Sequence, residues 1–447
     1  MTRFDARRRI AISSIAVATA LSLASPPIAS AQQGAPARDS LRLDALQADA
    51  VRRDPRGRQL ELLATQSALR QQRLDAERLP TIDLNAQGQY QSDVVTIPFQ
   101  LPGGATVPLP PRDNYDAHLA ARQRLLDPAL GSRRDLERAR LAESQARVRS
   151  TLFALRQRVN DVYFSALALQ AQRAELETGI TDLEAQLSVA RDRARLGSAL
   201  PSEAATIEAE LLRRRQSLAD LDAGRGAALT VLGDLTGRAI TAGDALALPD
   251  LGAEVARARG TLDSLRARPE YEQFARSRDV LDRQRRSAAA DDLPRVSAFG
   301  RAGYGRPGLN PLGREFDEYW VAGVRLEWTP WNWGTTGRER QELAIQQQIV
   351  ATEEAAFTEA VRRGVVSDLA SIDRLERTLA ADDEIIALRE RILREARLRF
   401  GEGVITSAEF VDRETDVLAA RLARASHRVE LAQSRARFLT LIGLEVR

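Results

Sequence analysis

The sequence predicts a mainly α-helical chain with transmembrane β-strands, built as a tandem repeat in which each chain lends four strands to a barrel shared between copies. Three observations lead there. Long proline-free stretches carry a seven-residue apolar repeat, four segments of about ten residues alternate strictly, and the two halves of the chain resemble each other.

The order begins with a segment that reads as an export signal, residues 1–31. Arg7, Arg8 and Arg9 precede an apolar run from Ile10 to Ala24, and Ala29-Ser30-Ala31 supplies a small-residue cleavage pattern, so cleavage is expected after Ala31. A membrane anchor is the alternative, but the run is shorter than the ~20 residues a helix needs to span a bilayer. Beyond it no comparable apolar run occurs, so entry into a membrane would be by strands.

Composition removes several chemistries. The chain has 65 basic residues, all Arg, with no Cys and two His. A P-loop or Schiff-base lysine, a thiol nucleophile, a disulfide framework and a Cys or multi-His metal site cannot be built. The formal net charge of +3 is accounted for by the four Arg and one Asp of the export signal, so no nucleic-acid partner is expected.

Prolines then divide the chain, because an interior proline costs a helix about 3 kcal/mol. Gaps run from Ala129 to Leu200, Ser202 to Leu248 and Trp331 to Arg447. Leu141, Val148, Leu155, Val162, Leu169, Leu176, Leu183 and Ala190 repeat every seven residues in the first, as do Val365, Ile372, Leu379, Ile386, Leu393 and Phe400 in the last. Strict sevens imply supercoiled helices. Long helices are expected at about 130–197, 202–237, 334–401 and 406–442.

Strands are expected at about 80–91, 114–125, 294–305 and 318–329. Each has one face of Ala, Gly, Leu and aromatics without charge and one polar face. The polar faces hold Asp83, Asp116, His118, Arg122, Arg295, Arg301, Arg325 and Glu327, the residues expected to face a lumen. All four Trp (Trp320, Trp328, Trp331, Trp333) lie at or near the ends of the last strand, where aromatic girdles sit. Arg53-Asp54-Pro55 resembles Ala267-Arg268-Pro269, and Leu79-Pro80-Thr81-Ile82 resembles Leu293-Pro294-Arg295-Val296, which sets two repeats at 32–248 and 249–447. Eight strands is about the smallest closed barrel, so four must be pooled with those of other chains. A soluble half-exposed sheet on a coiled-coil rod is the other reading of the same periodicities.

These residues resemble the TolC family of outer-membrane efflux proteins. The strand-to-helix junction Thr329-Pro330-Trp331-Asn332-Trp333-Gly334 is similar to that family's, whereas the first copy departs from it as Leu126-Asp127-Pro128-Ala129-Leu130-Gly131. The turns Arg195-Leu196-Gly197-Ser198-Ala199-Leu200-Pro201-Ser202 and Arg399-Phe400-Gly401-Glu402-Gly403-Val404-Ile405-Thr406-Ser407 are similar to its helical tips. The resemblance implies a homotrimer whose 3 × 4 = 12 strands form one barrel in outer-membrane lipid, continued by a coiled-coil tunnel in the periplasm. It implies a passive, gated conduit without catalysis, cofactor or metal, serving efflux or type I secretion through a periplasmic adaptor and an inner-membrane pump or ABC exporter. A soluble periplasmic coiled-coil adaptor or structural rod is the alternative.

The resemblance also carries site residues. Family carboxylates that ring the closed periplasmic end fall here on Glu409, where Asp is commoner, and Asp412. The adaptor-docking tips fall on Leu196, Gly197, Ser198, Pro201, Ser202, Gly401, Gly403, Thr406 and Ser407. For the carboxylates the alternative is an ordinary solvated helix face, and for the tips plain hairpin closure.

Overall fold

The computed structural model describes residues 40–94, 109–260 and 267–444. The expected export signal and its cleavage site lie outside the described residues. From Ser40 onward, α1 (Leu43–Arg53) and α2 (Gln59–Ala76) precede β1 (Thr81–Tyr90) and β2 (Asp113–Leu126). Then come α3 (Ala129–Arg195) and α4 (Pro201–Thr236). The same order recurs as α5 (Gly252–Arg259), α6 (Pro269–Asp291), β3 (Arg295–Arg306), β4 (Asp317–Glu327), α7 (Thr335–Gly401) and α8 (Ser407–Leu441). At 67 residues each, α3 and α7 are about 100 Å long. Among the described residues no helix is long and apolar enough to cross a membrane.

The strands form one antiparallel sheet in the order β1-β2-β3-β4. Leu84 faces Leu119, which faces Ala302, which faces Trp320, so one sheet face is an apolar rung ladder. The other face carries Asp83 beside Ala120 and Arg301, and His118 beside Gly303 and Tyr319. Strand alternation brings Asp116, Arg122, Arg295, Arg325 and Glu327 to that same polar face. The apolar face is not free of charge over its whole height, because Arg306 and Glu318 project on it at one end of their strands.

Helices extend from the one end of the sheet at which β1 and β3 begin and β2 and β4 finish. Next to the strands α2, α3, α6 and α7 lie side by side, and beyond the short helices the order becomes α4, α3, α8, α7. The seven-residue repeat is what packs them. Val148, Leu155, Leu176, Leu183 and Ala190 of α3 are buried, as are Val365, Ile372, Leu393 and Phe400 of α7. The widest core forms where α1 and α5 pack on the layer, around Leu46, Val159, Tyr163, Phe164, Leu232, Leu251, Ile372 and Phe438. Each such side chain contributes roughly 1.5–3 kcal/mol by leaving water. Polar groups in this core are matched. Gln47 donates to Asn160 at 2.5 Å, Asn160 donates to Thr440 at 3.1 Å, and the Tyr163 hydroxyl reaches the carbonyls of Leu41 and Ala247.

The layer is unfinished at both sides. The sheet ends in unpaired edges at β1 and β4. Along α7, the side chains Ile345, Ile349, Val366, Ile385, Leu388 and Ile392 stay exposed, and α2 and α4 expose Leu62, Leu69 and Leu212.

Candidate functional site: the helical tips and the seam between hairpins

Both long helices end in the same backbone device. After α3, Gly197 adopts φ 71°, its N–H reaches the Ala194 carbonyl at 3.1 Å, and the Ser198 N–H reaches Arg193 at 2.9 Å. After α7, Gly403 adopts φ 75°, with its N–H on Phe400 at 3.1 Å and the Val404 N–H on Arg399 at 2.8 Å. This is the Schellman arrangement, and the left-handed residue in it favours glycine because a Cβ would crowd the backbone. Pro201 then occupies the first turn of α4, where its missing N–H costs nothing. Leu196, Ser202 and Gly401 are exposed, with Leu196 at 79 %, while Ser407 is buried.

The two tips also touch. Arg193 donates to the Phe400 carbonyl at 2.9 Å with its guanidinium over that ring, and Phe400 stacks on Phe410 at 5.0 Å. Sequence reasoning missed Arg193 and Phe410.

Glu409 and Asp412 are both exposed on the first turns of α8, one turn apart. Glu409 also caps its own helix. Its carboxylate accepts the Thr406 N–H at 3.0 Å while Thr406 Oγ1 accepts the Glu409 N–H at 3.2 Å, a capping box that satisfies two orphan donors of the helix. The Thr406-Ser407-Ala408-Glu409 spacing was the available signal for it. Asp412 has no such partner among the described residues.

Further along α8 lies a group of charges that the sequence did not single out. Arg214 of α4, 2 % exposed, donates from Nη1 to the Gly179 carbonyl of α3 at 2.9 Å and from Nε to Glu210 at 2.9 Å. Glu414 of α8, 4 % exposed, has its Oε2 3.9 Å from Arg397 of α7 and without a hydrogen bond. Burial raises the Glu210 carboxyl, but hydrogen bonds from Arg213 and Arg214 outweigh it and hold the group below the ordinary carboxylate value. For Glu414 burial prevails over the pull of Arg397 and Arg214, and the group is pushed up.

At the other end, the polar sheet face joins His118 Nδ1 to Asp116 Oδ2 at 2.6 Å, and the Tyr319 hydroxyl donates to Asp116. Arg325 lies over Phe299 and Arg301 over Tyr319. Each strand hands over to its long helix through one acidic or amide side chain. Asp127 accepts the Ala129 N–H at 3.1 Å, and Asn332 accepts the Gly334 N–H at 3.1 Å. Thus the first junction, although its sequence departs from the second, uses Asp127 where the second uses Asn332.

Residues 261–444 match the family model of the outer membrane efflux protein. No curated protein matches the chain by sequence. Among solved structures, CusC, described for its transmembrane channel formation, superposes with a TM-score of 0.67 at 16 % identity, covering 90 % of this chain and 92 % of its own. VceC, an outer membrane protein of Vibrio cholerae, gives 0.65 at 13 % identity over 91 % and 97 %. The open MtrE outer membrane channel of Neisseria gonorrhoeae gives 0.63 at 19 % over 91 % and 90 %. Those identities speak for the fold, and the family match is confined to residues 261–444. The second half of the chain thus matches the outer membrane efflux protein model, and about 90 % of the chain shares the fold of solved outer membrane channels.

Proposed function

We propose that three copies of this chain close into one channel of 3 × 4 = 12 strands, continued by a helical tunnel, which passes substrate from a periplasmic adaptor and an inner-membrane pump or ABC exporter to the exterior. The observation that carries this reading is the pair of unfinished sides. β4 and the apolar stripe of α7 lie on one, and β1 with Leu62, Leu69 and Leu212 lies on the other. Unlike edges that complement each other head to tail generate a ring when the rotation closes. The repeats 32–248 and 249–447 each contribute two strands and one tip to it, and the polar sheet face with Asp83, Asp116, His118, Arg122, Arg295, Arg301, Arg325 and Glu327 lines the lumen.

In this assembly Glu409 and Asp412 gather six carboxylates near the periplasmic end, attracting cations and repelling each other as the tips approach. The turns at Leu196–Ser202 and Gly401–Thr406 are the adaptor-docking surface, and Ser407, buried behind the second, supports it rather than meeting the adaptor. Efflux and type I secretion use such a conduit alike, because the energy is supplied at the inner membrane. The test is membrane fractionation with chemical cross-linking, followed by conductance in a planar bilayer. A cross-linked trimer in the outer membrane that conducts is the expected result; a soluble monomer without detergent overturns the proposal.

A further inference from the structure

The buried charges between the hairpins have a geometry that a plain packing contact does not need. α4 pairs with α3 and α8 pairs with α7, and the two pairs meet along the α3–α8 contact. Gly179 makes a notch there. A Cβ at Gly179 would stand 3.1 Å from the Arg214 guanidinium and 3.3 Å from Leu418, so glycine gives Arg214 room that a larger residue would take only by pushing one of them aside. On the far side is a cavity of 170 Å³ lined by Gly179, Asp182, Arg214, Arg397, Glu414 and Arg421 together with other residues of the same four helices. Glu414 borders it with an oxygen that has no hydrogen-bond partner.

Every helix of the seam presents charge to that carboxyl: Asp182 from α3, Glu210 and Arg214 from α4, Glu390, Arg394 and Arg397 from α7, and Arg421 from α8. Two of the arginines that could neutralise it, Arg214 and Arg421, are committed elsewhere. Arg214 is held by Glu210 and the Gly179 carbonyl, and Arg421 donates to Glu390 at 2.6 Å. Among the described residues only Arg397 comes within ion-pair distance, at 3.9 Å. A buried carboxylate left in this state is costly, whereas its protonated form is not.

We propose that Glu414 is a proton-operated clasp on the seam between the two helical hairpins: protonated, it holds α8 against α3, α4 and α7, and ionised, it favours their separation and its own hydration. The sign follows from linkage. Burial raises the Glu414 carboxyl in the packed seam relative to a separated, hydrated one, so the packed seam binds the proton more tightly. Its contribution is therefore complete below the ordinary carboxyl value and is lost as pH rises through the raised one. Its consequence for channel opening rests on the proposed function; the clasp itself does not.

The absence of Cys allows site-directed spin labels at Gln216→Cys on α4 and Ala387→Cys on α7, both exposed positions on opposite sides of the seam. Distances are measured in the purified full chain in lipid from roughly pH 5 to pH 8. The expected result is a shift to longer distances as pH rises. Glu414→Gln should abolish that shift and keep the short distance throughout. Arg397→Gln, which removes the charge opposing protonation, should retain the shift but move it to higher pH. A Glu414→Gln protein that still responds to pH as the wild type does overturns the proposal, as does an Arg397→Gln shift to lower pH. Conductance of the same preparations is read separately. A non-conducting protein whose distances respond as described removes the channel reading and leaves the clasp, and a conducting one with no response removes only the clasp.

Discussion

Glu409 caps α8 and is proposed to join a carboxylate ring at the periplasmic end, and conservative substitutions separate the two roles. As the third residue of α8 it accepts the Thr406 N–H at 3.0 Å, and Thr406 accepts its N–H at 3.2 Å. Losing such a cap costs about 1 kcal/mol, and a carboxylate near a helix N-terminus adds roughly 0.3–1 kcal/mol through the helix dipole. Glu409→Gln keeps the acceptor and removes the charge, so it should lose only the second amount per chain. Glu409→Ala loses the charge and the acceptor for the Thr406 N–H but keeps its own N–H on Thr406 Oγ1, whereas Thr406→Ala loses that N-cap, about 1 kcal/mol, and keeps the carboxylate. Thermal unfolding by circular dichroism should place Glu409→Gln above both alanine variants. Cation selectivity, read as reversal potential across a bilayer in a salt gradient, orders them differently: Thr406→Ala stays near wild type, while Glu409→Gln and Asp412→Asn both fall toward zero. If Asp412→Asn lowers selectivity and Glu409→Gln does not, Glu409 is a cap and nothing more. If neither changes it, the carboxylate ring is wrong.

Gly197→Ala and Gly403→Ala each force a Cβ into a left-handed position, at about 1–2 kcal/mol, and should raise hydrogen exchange in the last turns of α3 and α7 without altering the strands. Arg214→Ala strips Glu210 and the Gly179 carbonyl of a buried donor, so a loss of about 3–5 kcal/mol is expected in thermal unfolding. Leu119→Arg places a charge midway along the apolar sheet face, in the rung with Leu84, Ala302 and Trp320. A cost of about 2–4 kcal/mol should lower the amount of assembled protein in the outer membrane fraction, whereas the same substitution at Asn85 on the polar face should be tolerated.

The mainly helical class and the four-stranded sheet could be read from the sequence because each rests on a one-dimensional rule. Proline-free length with a seven-residue repeat leaves few alternatives to a long coiled helix, and the alternation of Ile82, Leu84 and Ala86 with Asp83, Asn85 and Gln87 fixes two faces before any partner strand is known. What stayed hidden depends on contacts between residues far apart in the chain. Nothing near Arg214 announces that it will cross beneath Gly179 toward Glu414, 200 residues away in sequence. Gly179 itself looks like a weak point in a helix until the guanidinium beside it is seen. The Thr406–Glu409 box was within reach, since its spacing is local, but the carboxylate reading of Glu409 drew attention from it.

The seam also shows why one arginine cannot serve two acids. Arg214 donates to Glu210 at 2.9 Å and offers Glu414 only its field, so hydrogen bonding wins at the first carboxyl and burial at the second. The two acids then respond to pH in opposite directions. Glu210, held low when packed, contributes stability that is complete above the ordinary carboxyl value and lost as pH falls through its lowered one. Glu414, held high, contributes stability that is complete below the ordinary value and lost as pH rises through its raised one. The hairpin seam should therefore be most stable near the ordinary carboxyl value, about 4.3, and weaken on both sides of it. Wild-type minus variant differences in melting temperature isolate each flank: Glu210→Gln should flatten the acid side alone, and Glu414→Gln the alkaline side alone. A Glu414→Gln difference that does not vary with pH would mean that the carboxyl is ionised or hydrated equally in packed and separated states, and the buried-charge argument would fail at its first step.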